Sequence, residues 1–257
     1  MDLRLTVVDV TGSTNDDLLE AGKQGAPHGT GLAARAQTAG RGRRGHKWDS
    51  TVGNLLLSIV LRPCVNPAKF SGLAAVSGLA VLEALEKQGL ADEIGLKWPN
   101  DLLLNGKKIV GILCESVSYG YQQQGRGILC GIGINLAQPQ SYFDAAGLPN
   151  GTSLALQGAK VDLSTDPAWL AEGLTDFGFD RNMYVFARDG FAPFREEYKA
   201  ACVNLGRRVT FDLPDGGQGA GEAVDVDEEG RLVVRTDSGE VHVFTGEVSV
   251  HGIYGAV

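Results

Sequence analysis

Leu102-Leu103-Leu104-Asn105-Gly106-Lys107-Lys108-Ile109-Val110-Gly111-Ile112-Leu113 sets an Asn-Gly pair between two apolar runs. Asn-Gly supplies the two positive-φ residues of a tight hairpin turn, so residues 102–104 and 107–118 are expected to pair antiparallel. Just upstream, Ile94 to Trp98 begins another strand, which Pro99-Asn100-Asp101 interrupts. Downstream, Gly127 to Leu136 is almost continuously apolar, the pattern of a strand covered on both faces and central in its sheet. An edge position there, open to a second copy or to a carrier protein, is the alternative.

Working outward, Leu3 to Asp9, Gly31 to Gln37 and Asn54 to Leu61 read as further strands. Ser13-Thr14-Asn15 offers caps for a short helix from Asp16 to Gln24. Asn66-Pro67 opens a helix whose apolar positions Phe70, Leu73, Ala74, Ser77, Val81, Ala84 and Leu85 recur at helical spacing up to Gly89. Thr165 to Arg188, opened by Asp166-Pro167 and carrying Trp169, Leu170, Leu174 and Phe177, and Phe191 to Cys202 are expected helices. Beyond Leu205 the texture changes to short β segments, 207–213, 221–226, 232–236 and 241–245, with turns at Asp215-Gly216, Glu229-Gly230 and Ser238-Gly239. The expected fold class is α+β: a mixed sheet packed by helices over residues 1–204 and a small β module over 205–257 that leans on it.

The chain of 257 residues is 43% hydrophobic, enough for one sizeable core, and its formal net charge is -8. That balance argues against broad basic faces that coat nucleic acid or an anionic membrane, so neither DNA nor membrane is an expected partner. No stretch of about 18 apolar residues and no signal-peptide pattern is present, which leads to the expectation of a soluble, cytoplasmic protein. Cys64, Cys114, Cys130 and Cys202 form no C-x-x-C pair, and Cys114 and Cys130 sit in apolar runs as small core residues. His28, His46, His242 and His251 are scattered, and no catalytic triad is supported.

Against the acidic background stands the segment from Thr38 to Trp48, where Arg41, Arg43, Arg44, His46 and Lys47 alternate with Gly40, Gly42 and Gly45. Glycine permits close backbone approach and positive φ, while each guanidinium offers a planar fork to phosphate or carboxylate. The segment reads as an anion clamp joining two strands. A solvated disordered loop and a single-stranded RNA patch are competing readings. The formal G-x-G-x-x-G match lacks the following helix that a dinucleotide site needs.

Taken in order, Ser13-Thr14-Asn15, the Gln37 to Trp48 loop, Lys97-Trp98-Pro99-Asn100-Asp101 with Lys107-Lys108-Ile109-Val110-Gly111, and Gly131-Ile132-Gly133-Ile134-Asn135 resemble the biotin–protein ligase family. A carboxy-terminal Gly246-Glu247-Val248-Ser249 extends the resemblance over nearly the whole chain. It implies a class II synthetase-like catalytic domain of the biotin/lipoate ligase type and an SH3-like carboxy-terminal barrel. It further implies an enzyme that uses ATP and magnesium to form biotinyl-5′-AMP, then passes biotin to a lysine of a biotin carboxyl carrier domain. By that resemblance Arg43, Lys108 and Asp101 are the catalytic candidates. Ser13, Thr14, Asn15, Gln37, Gly40, Arg41, Gly42, Arg43, Lys108 and Gly111 are the biotin end. Arg41, Arg43, Arg44, Trp48, Asn100, Asp101 and Asn135 are the ATP and adenylate end.

Asp101 has three candidate tasks: holding magnesium, orienting the adenylate, or handling the proton of the incoming lysine amine. His46 stands where many members carry another basic residue, which makes the loop's charge sensitive to pH near neutrality. Only twelve residues precede Ser13, so the expectation is a monofunctional ligase without a DNA-binding helix-turn-helix. Whether the chain also pairs as a homodimer is left open by the sequence. The rival functions are a lipoate-type acyl ligase and a non-enzymatic anion- or RNA-binding protein.

Overall fold

The computed structural model describes residues 3–48, 50, 53–63, 66–90, 94–120, 122, 125–160, 173, 179–213, 216–244 and 248–253. The first sheet has seven strands: β1 (Arg4–Thr11), β2 (Thr30–Gln37), β3 (Asn54–Leu61), β4 (Gly95–Lys97), β5 (Asp101–Leu104), β6 (Lys107–Tyr119) and β7 (Gly125–Asn135). Their order is β1-β2-β3-β7-β6-β5-β4. β1 and β2 pair in parallel and the remaining neighbours antiparallel, so the sheet is mixed as expected. The turn Asn105-Gly106 has φ of 50° and 73°, the positive pair that the hairpin requires. β7 lies at the centre with β3 on one side and β6 on the other. The alternative of an open edge at residues 127–136 is therefore overturned, because both rows of its backbone groups are already paired.

One face of this sheet is covered by α2 (Leu73–Lys87), and the other carries the amphipathic α1 (Thr14–Lys23). The α2 face buries Leu55, Leu57, Ile59, Cys130, Ile132 and Ile134 against Val76, Leu79, Ala80 and Val81. On the α1 face, Leu18 meets Val60 and Leu129. Alternation along β7 thus sends even-numbered residues to the main core and odd-numbered ones to the α1 side. The helix expected from Asn66-Pro67 starts later: Pro67–Gly72 forms 3-10 turns, and the α-helix begins at Leu73. Cys130 is a buried core residue as expected, whereas Cys114, directly opposite it, is only partly buried.

Among the described residues come next α3 (Gln140–Ala145), α4 (Asp180–Asp189) and α5 (Arg195–Ala201). The expected helix over 165–188 is described only in its last part, as α4; its Asp166-Pro167 opening and Trp169, Leu170, Leu174 and Phe177 lie outside the described residues, as do Cys64, Asp215 and Gly246-Glu247. Phe191 to Cys202 is a 3-10 turn, Ala192–Phe194, continuing into α5.

The second sheet is antiparallel and five-stranded, of the SH3-like kind, with β8 (Arg208–Asp212), β9 (Gln218–Val226), β10 (Leu232–Thr236), β11 (Gly239–Val243) and β12 (Val248–Val250). Its order is β11-β10-β9-β8-β12. The sequence reading missed β12, a three-residue strand too short to show alternation. The module does lean on its neighbour. The Trp98 indole Nε1 donates to the Gly230 carbonyl at 2.9 Å, while its backbone N–H is held within the first part by Asn204 Oδ1 at 2.7 Å. Arg195 on α5 donates to the Val226 carbonyl at 2.6 Å and pairs with Asp225 at 2.5 Å.

Candidate active site

A cavity of about 460 Å³ opens on the α1 face of the first sheet, at the ends of β6 and β7. Its floor is built from two rungs that cross the strands. In one, Leu56, Gly133, Gly111 and Asp101 lie side by side on β3, β7, β6 and β5; in the other, Ser58, Gly131 and Leu113 do. The three glycines are required by what lies on them. A Cβ on Gly133 would sit 2.5 Å from the Trp48 ring, one on Gly111 would sit 2.6 Å from it, and one on Gly131 would sit 2.2 Å from Asn15 Oδ1. The G-x-G-x-N stretch thus reads physically: odd positions face the cavity, two carry no side chain, and the third is Asn135.

Over the Gly131 rung sits a neutral polar cluster. Ser13 caps α1, accepting from the Asp16 backbone N–H at 3.4 Å, which puts Thr14 and Asn15 on its first turn. Gln37 Oε1 accepts from the Thr14 backbone N–H at 2.7 Å and from Thr14 Oγ1 at 2.9 Å. Ser58, fully buried, places its hydroxyl 2.7 Å from Thr14 Oγ1 and 2.5 Å from Asn15 Oδ1. Asn15 Nδ2 donates to Glu115 Oε2 at 2.8 Å.

The glycine- and arginine-rich segment forms a small hairpin. Arg41 and Lys47 pair as an antiparallel bridge, the Trp48 N–H donates to the Gly40 carbonyl, and the Gly42 N–H donates to the His46 carbonyl. The tip, Arg43–Gly45, turns with positive φ at Arg44 and Gly45. At the neck Gly40 is indispensable, since a Cβ there would lie 2.3 Å from the Trp48 carbonyl oxygen. Among the described residues the next element after the hairpin is the strand β3 and not a helix, so the dinucleotide fingerprint fails structurally as well.

Most of the expected site residues meet at the cavity: Ser13, Thr14, Asn15, Gln37, Arg41, Gly42, Arg43, Trp48, Asn100, Asp101, Lys108, Gly111 and Asn135 all line it. Two do not. Gly40 acts at the loop's neck, and Arg44 reaches to the second sheet, where it pairs with Asp212 of β8. Arg41 forms a bidentate pair with Glu115, at 2.9 and 2.8 Å, and a second pair with Asp16 at 2.7 Å. Its hydrogen bond to Glu115, opposed by partial burial, raises its pKa further above an already permanent charge. Arg43 donates to Asn100 Oδ1 at 2.9 Å, while Asn100 Nδ2 donates to the Ile112 carbonyl.

At the far rung Lys108 Nζ lies 2.7 Å from Asp101 and 5.4 Å from the centre of the Trp48 ring, within reach of its π face. Asn135 Nδ2 donates to the Thr152 carbonyl at 3.0 Å, holding the segment that closes this end of the cavity. Among the described residues no three His, Cys, Asp or Glu side chains gather as a metal site. A magnesium ion carried by nucleotide phosphates needs only one or two protein carboxylates, and Asp101 is the carboxylate on this rung.

Sequence reasoning missed Glu115, Ser58 and the segment from Leu148 to Gly151, and it gave Val248 and Ser249 no place at the cavity they also line. Glu115 lies four residues beyond Gly111 on the same face of β6, so alternation from that glycine was the available signal. Ser58 is hidden in an apolar strand and carries none.

Comparison with known proteins agrees with this geometry. Residues 7–135 match the Biotin/lipoate A/B protein ligase family and residues 205–250 the Biotin protein ligase C terminal domain. The Biotin--[acetyl-CoA-carboxylase] ligase of Mycobacterium tuberculosis is 35% identical over 251 residues, spanning 95% of this chain and 88% of that protein. The enzyme of the same description from Paracoccus denitrificans is 34% identical, over 94% of this chain and 98% of its own length. Among solved structures, the biotin protein ligase from Aquifex aeolicus in complex with biotin and ATP superposes with a TM-score of 0.78 at 29% identity, over 98% of this chain and 99% of that one. The glycine floor, the capped Ser-Thr-Asn turn and the arginine hairpin lie within the first matched region: this chain belongs to the biotin/lipoate A/B protein ligase family.

Proposed function

We propose that the protein activates biotin with ATP as biotinyl-5′-AMP and transfers the biotinyl group to a lysine of a biotin carboxyl carrier domain. The observation that carries this reading is a proton count. Thr14 Oγ1 gives its proton to Gln37, and Ser58 has one proton for two acceptors, Thr14 Oγ1 and Asn15 Oδ1. One acceptor at the cavity wall is left short of a donor, which is the demand a ureido N–H meets and the dithiolane of lipoate does not.

The ends of the cavity divide the chemistry. Biotin's carboxylate oxygen attacks the α-phosphorus of ATP and the bond to pyrophosphate breaks. Two anions meet, so Arg43 and Lys108 lower the barrier by facing the charge that builds on the phosphate. Magnesium, when bound with the nucleotide, screens the phosphate charge, and Asp101 is the residue that would hold it. Trp48 offers its indole to the adenine. In the second step a lysine amine attacks the mixed-anhydride carbonyl, AMP leaves, and the amine proton is lost to a base, for which Asp101 stands closest on the Gly111 rung. Closing the hairpin over the adenylate keeps water away.

The division at residues 204 and 205, the cytoplasmic setting and a homodimer belong to the same proposal. The change from a mixed to an antiparallel sheet supports the first. No helix among the described residues is long and apolar enough to cross a membrane. For assembly, sedimentation of the purified protein with and without biotin and ATP is the test.

Exchange of labelled pyrophosphate into ATP, dependent on biotin and magnesium and run beside lipoate, tests the function. Exchange with biotin alone supports it, exchange with lipoate alone moves the chain to the other branch of its family, and none with either returns it to anion or RNA binding.

A further inference from the structure

Arg41 was expected to face phosphate, yet both terminal nitrogens of its guanidinium are engaged by carboxylates, Nη1 by Glu115 and Nη2 by Glu115 and Asp16, which leaves only the buried Nε without a partner. A cation so neutralised has little field left for a ligand. Its place is that of a post, fixing the near strand of the hairpin to β6 and α1. Glu115 is the other half of that post, with 25% of its side chain exposed.

Glu115 also touches Asn15, and the consequence runs further. An ionised carboxylate only accepts, so Asn15 must turn its amide nitrogen toward Glu115 and its oxygen toward Ser58. Ser58 stands between Asn15 and Thr14 with its one proton serving either, and the line of contacts continues from Thr14 to Gln37, from Gln37 Nε2 to Ser50 Oγ at 3.1 Å, and from Ser50 to the Trp48 carbonyl at 3.1 Å. The Trp48 N–H returns to Gly40, next to Arg41, and Arg41 closes the circuit on Glu115. The circuit encircles the hairpin's neck, and Gly40 is a glycine because the ring passes through the place of its Cβ.

We propose that Glu115 is a positioning residue of the ligase reaction: one carboxylate sets the amide orientation of Asn15 at the biotin end and anchors Arg41 at the root of the hairpin. It thereby couples the occupied biotin end to the retention of the adenylate. This rests on the biotin-ligase reading of the cavity.

The test uses the full chain with Glu115→Gln, Arg41→Ala and the double variant. Glutamine keeps the size but offers a donor and an acceptor, so it frees the Asn15 amide to flip and ends the bidentate pair. The expected result for Glu115→Gln is a KM for biotin raised about tenfold and a half-life of bound biotinyl-adenylate shortened by a similar factor, the scale of one lost charged hydrogen bond. The KM for ATP and the kcat of exchange should move by less than about threefold on that scale. Because Glu115 acts on the hairpin through Arg41, the double variant should release adenylate no faster than Arg41→Ala.

Additive losses of adenylate retention in the double variant, or equal changes in both KM values with a lowered Tm, would overturn the proposal in favour of a plain stabilising role. Should Glu115→Gln not fold, Glu115→Asp serves, since its shorter carboxylate can hold Arg41 or Asn15 but not both. Wild-type protein without biotin-dependent exchange would sink the functional reading; wild-type exchange with unaltered adenylate retention in Glu115→Gln would sink this inference alone.

Discussion

The two ends of the cavity are built on adjacent rungs of one sheet, yet they are held by opposite physics. At the Gly131 rung the groups are neutral, buried and committed to one another, with Ser13, Thr14, Asn15 and Ser58 all under a tenth exposed. At the Gly111 and Gly133 rung the groups are charged and stored in pairs, Lys108 with Asp101 and Arg43 with Asn100. A neutral site can be nearly finished before its ligand arrives, with one acceptor left open for the ligand's donor, because its other hydrogen bonds are made in advance and cost nothing to keep. A site for polyanions cannot, since unpaired buried cations would be expensive; its charges wait in pairs that the ligand must exchange.

That contrast can be broken experimentally. The largest effect is expected from Lys108→Ala, which removes a cation from the phosphate end: biotin-dependent exchange should fall about 10²- to 10³-fold, while biotin binding by calorimetry stays within about threefold of wild type. A loss of biotin affinity as large as the loss of rate would mean that the ends are not separate. Next in size, Arg43→Gly should still form adenylate but release it, so that bystander lysines on added albumin become biotinylated; labelling confined to the carrier domain would contradict a retaining role for the hairpin.

Paired glycine variants sharpen the comparison. Gly131→Ala strikes Asn15 and should raise the KM for biotin about tenfold, whereas Gly133→Ala strikes Trp48 and should raise the KM for ATP by a similar factor. The same response from both would show a single indivisible site. The smallest effect is that of salt. Raising ionic strength from about 0.05 to 0.5 M should increase the KM for ATP a few-fold and that for biotin less, because screening weakens the attraction of phosphates to the partly exposed Arg43 and Lys108 more than it weakens buried neutral bonds.

Much of this arrangement was legible in the chain because its signals are local. The Asn105-Gly106 turn, the alternation of Gly131, Gly133 and Asn135, and the Ser13 cap each follow from residues a few positions apart. What stayed hidden depends on partners brought together by the fold. Asn15 and Glu115 stand 100 positions apart, and Arg44 and Asp212 stand 168 apart. Composition marked Arg41, Arg43 and Arg44 as equivalent cations; only the fold separates a pair with Glu115 and Asp16, a bond to Asn100 and a tie to the second sheet. Ser58 was invisible for another reason, as one hydroxyl within an otherwise apolar strand.

Trp98 belongs to a motif that invites a chemical reading, but its indole is 2% exposed and its N–H is spent on the carbonyl of Gly230. It works as a keystone between the two halves of the protein. Cutting the chain after Leu205 would bare that ring beside the strand leading to Asn100 and Asp101. A truncated protein that lost activity would therefore report a catalytic half deprived of its abutment, whatever the second sheet contributes to binding. Point changes on the cavity-facing side of β12, at Ser249, leave the keystone seated and ask the question cleanly.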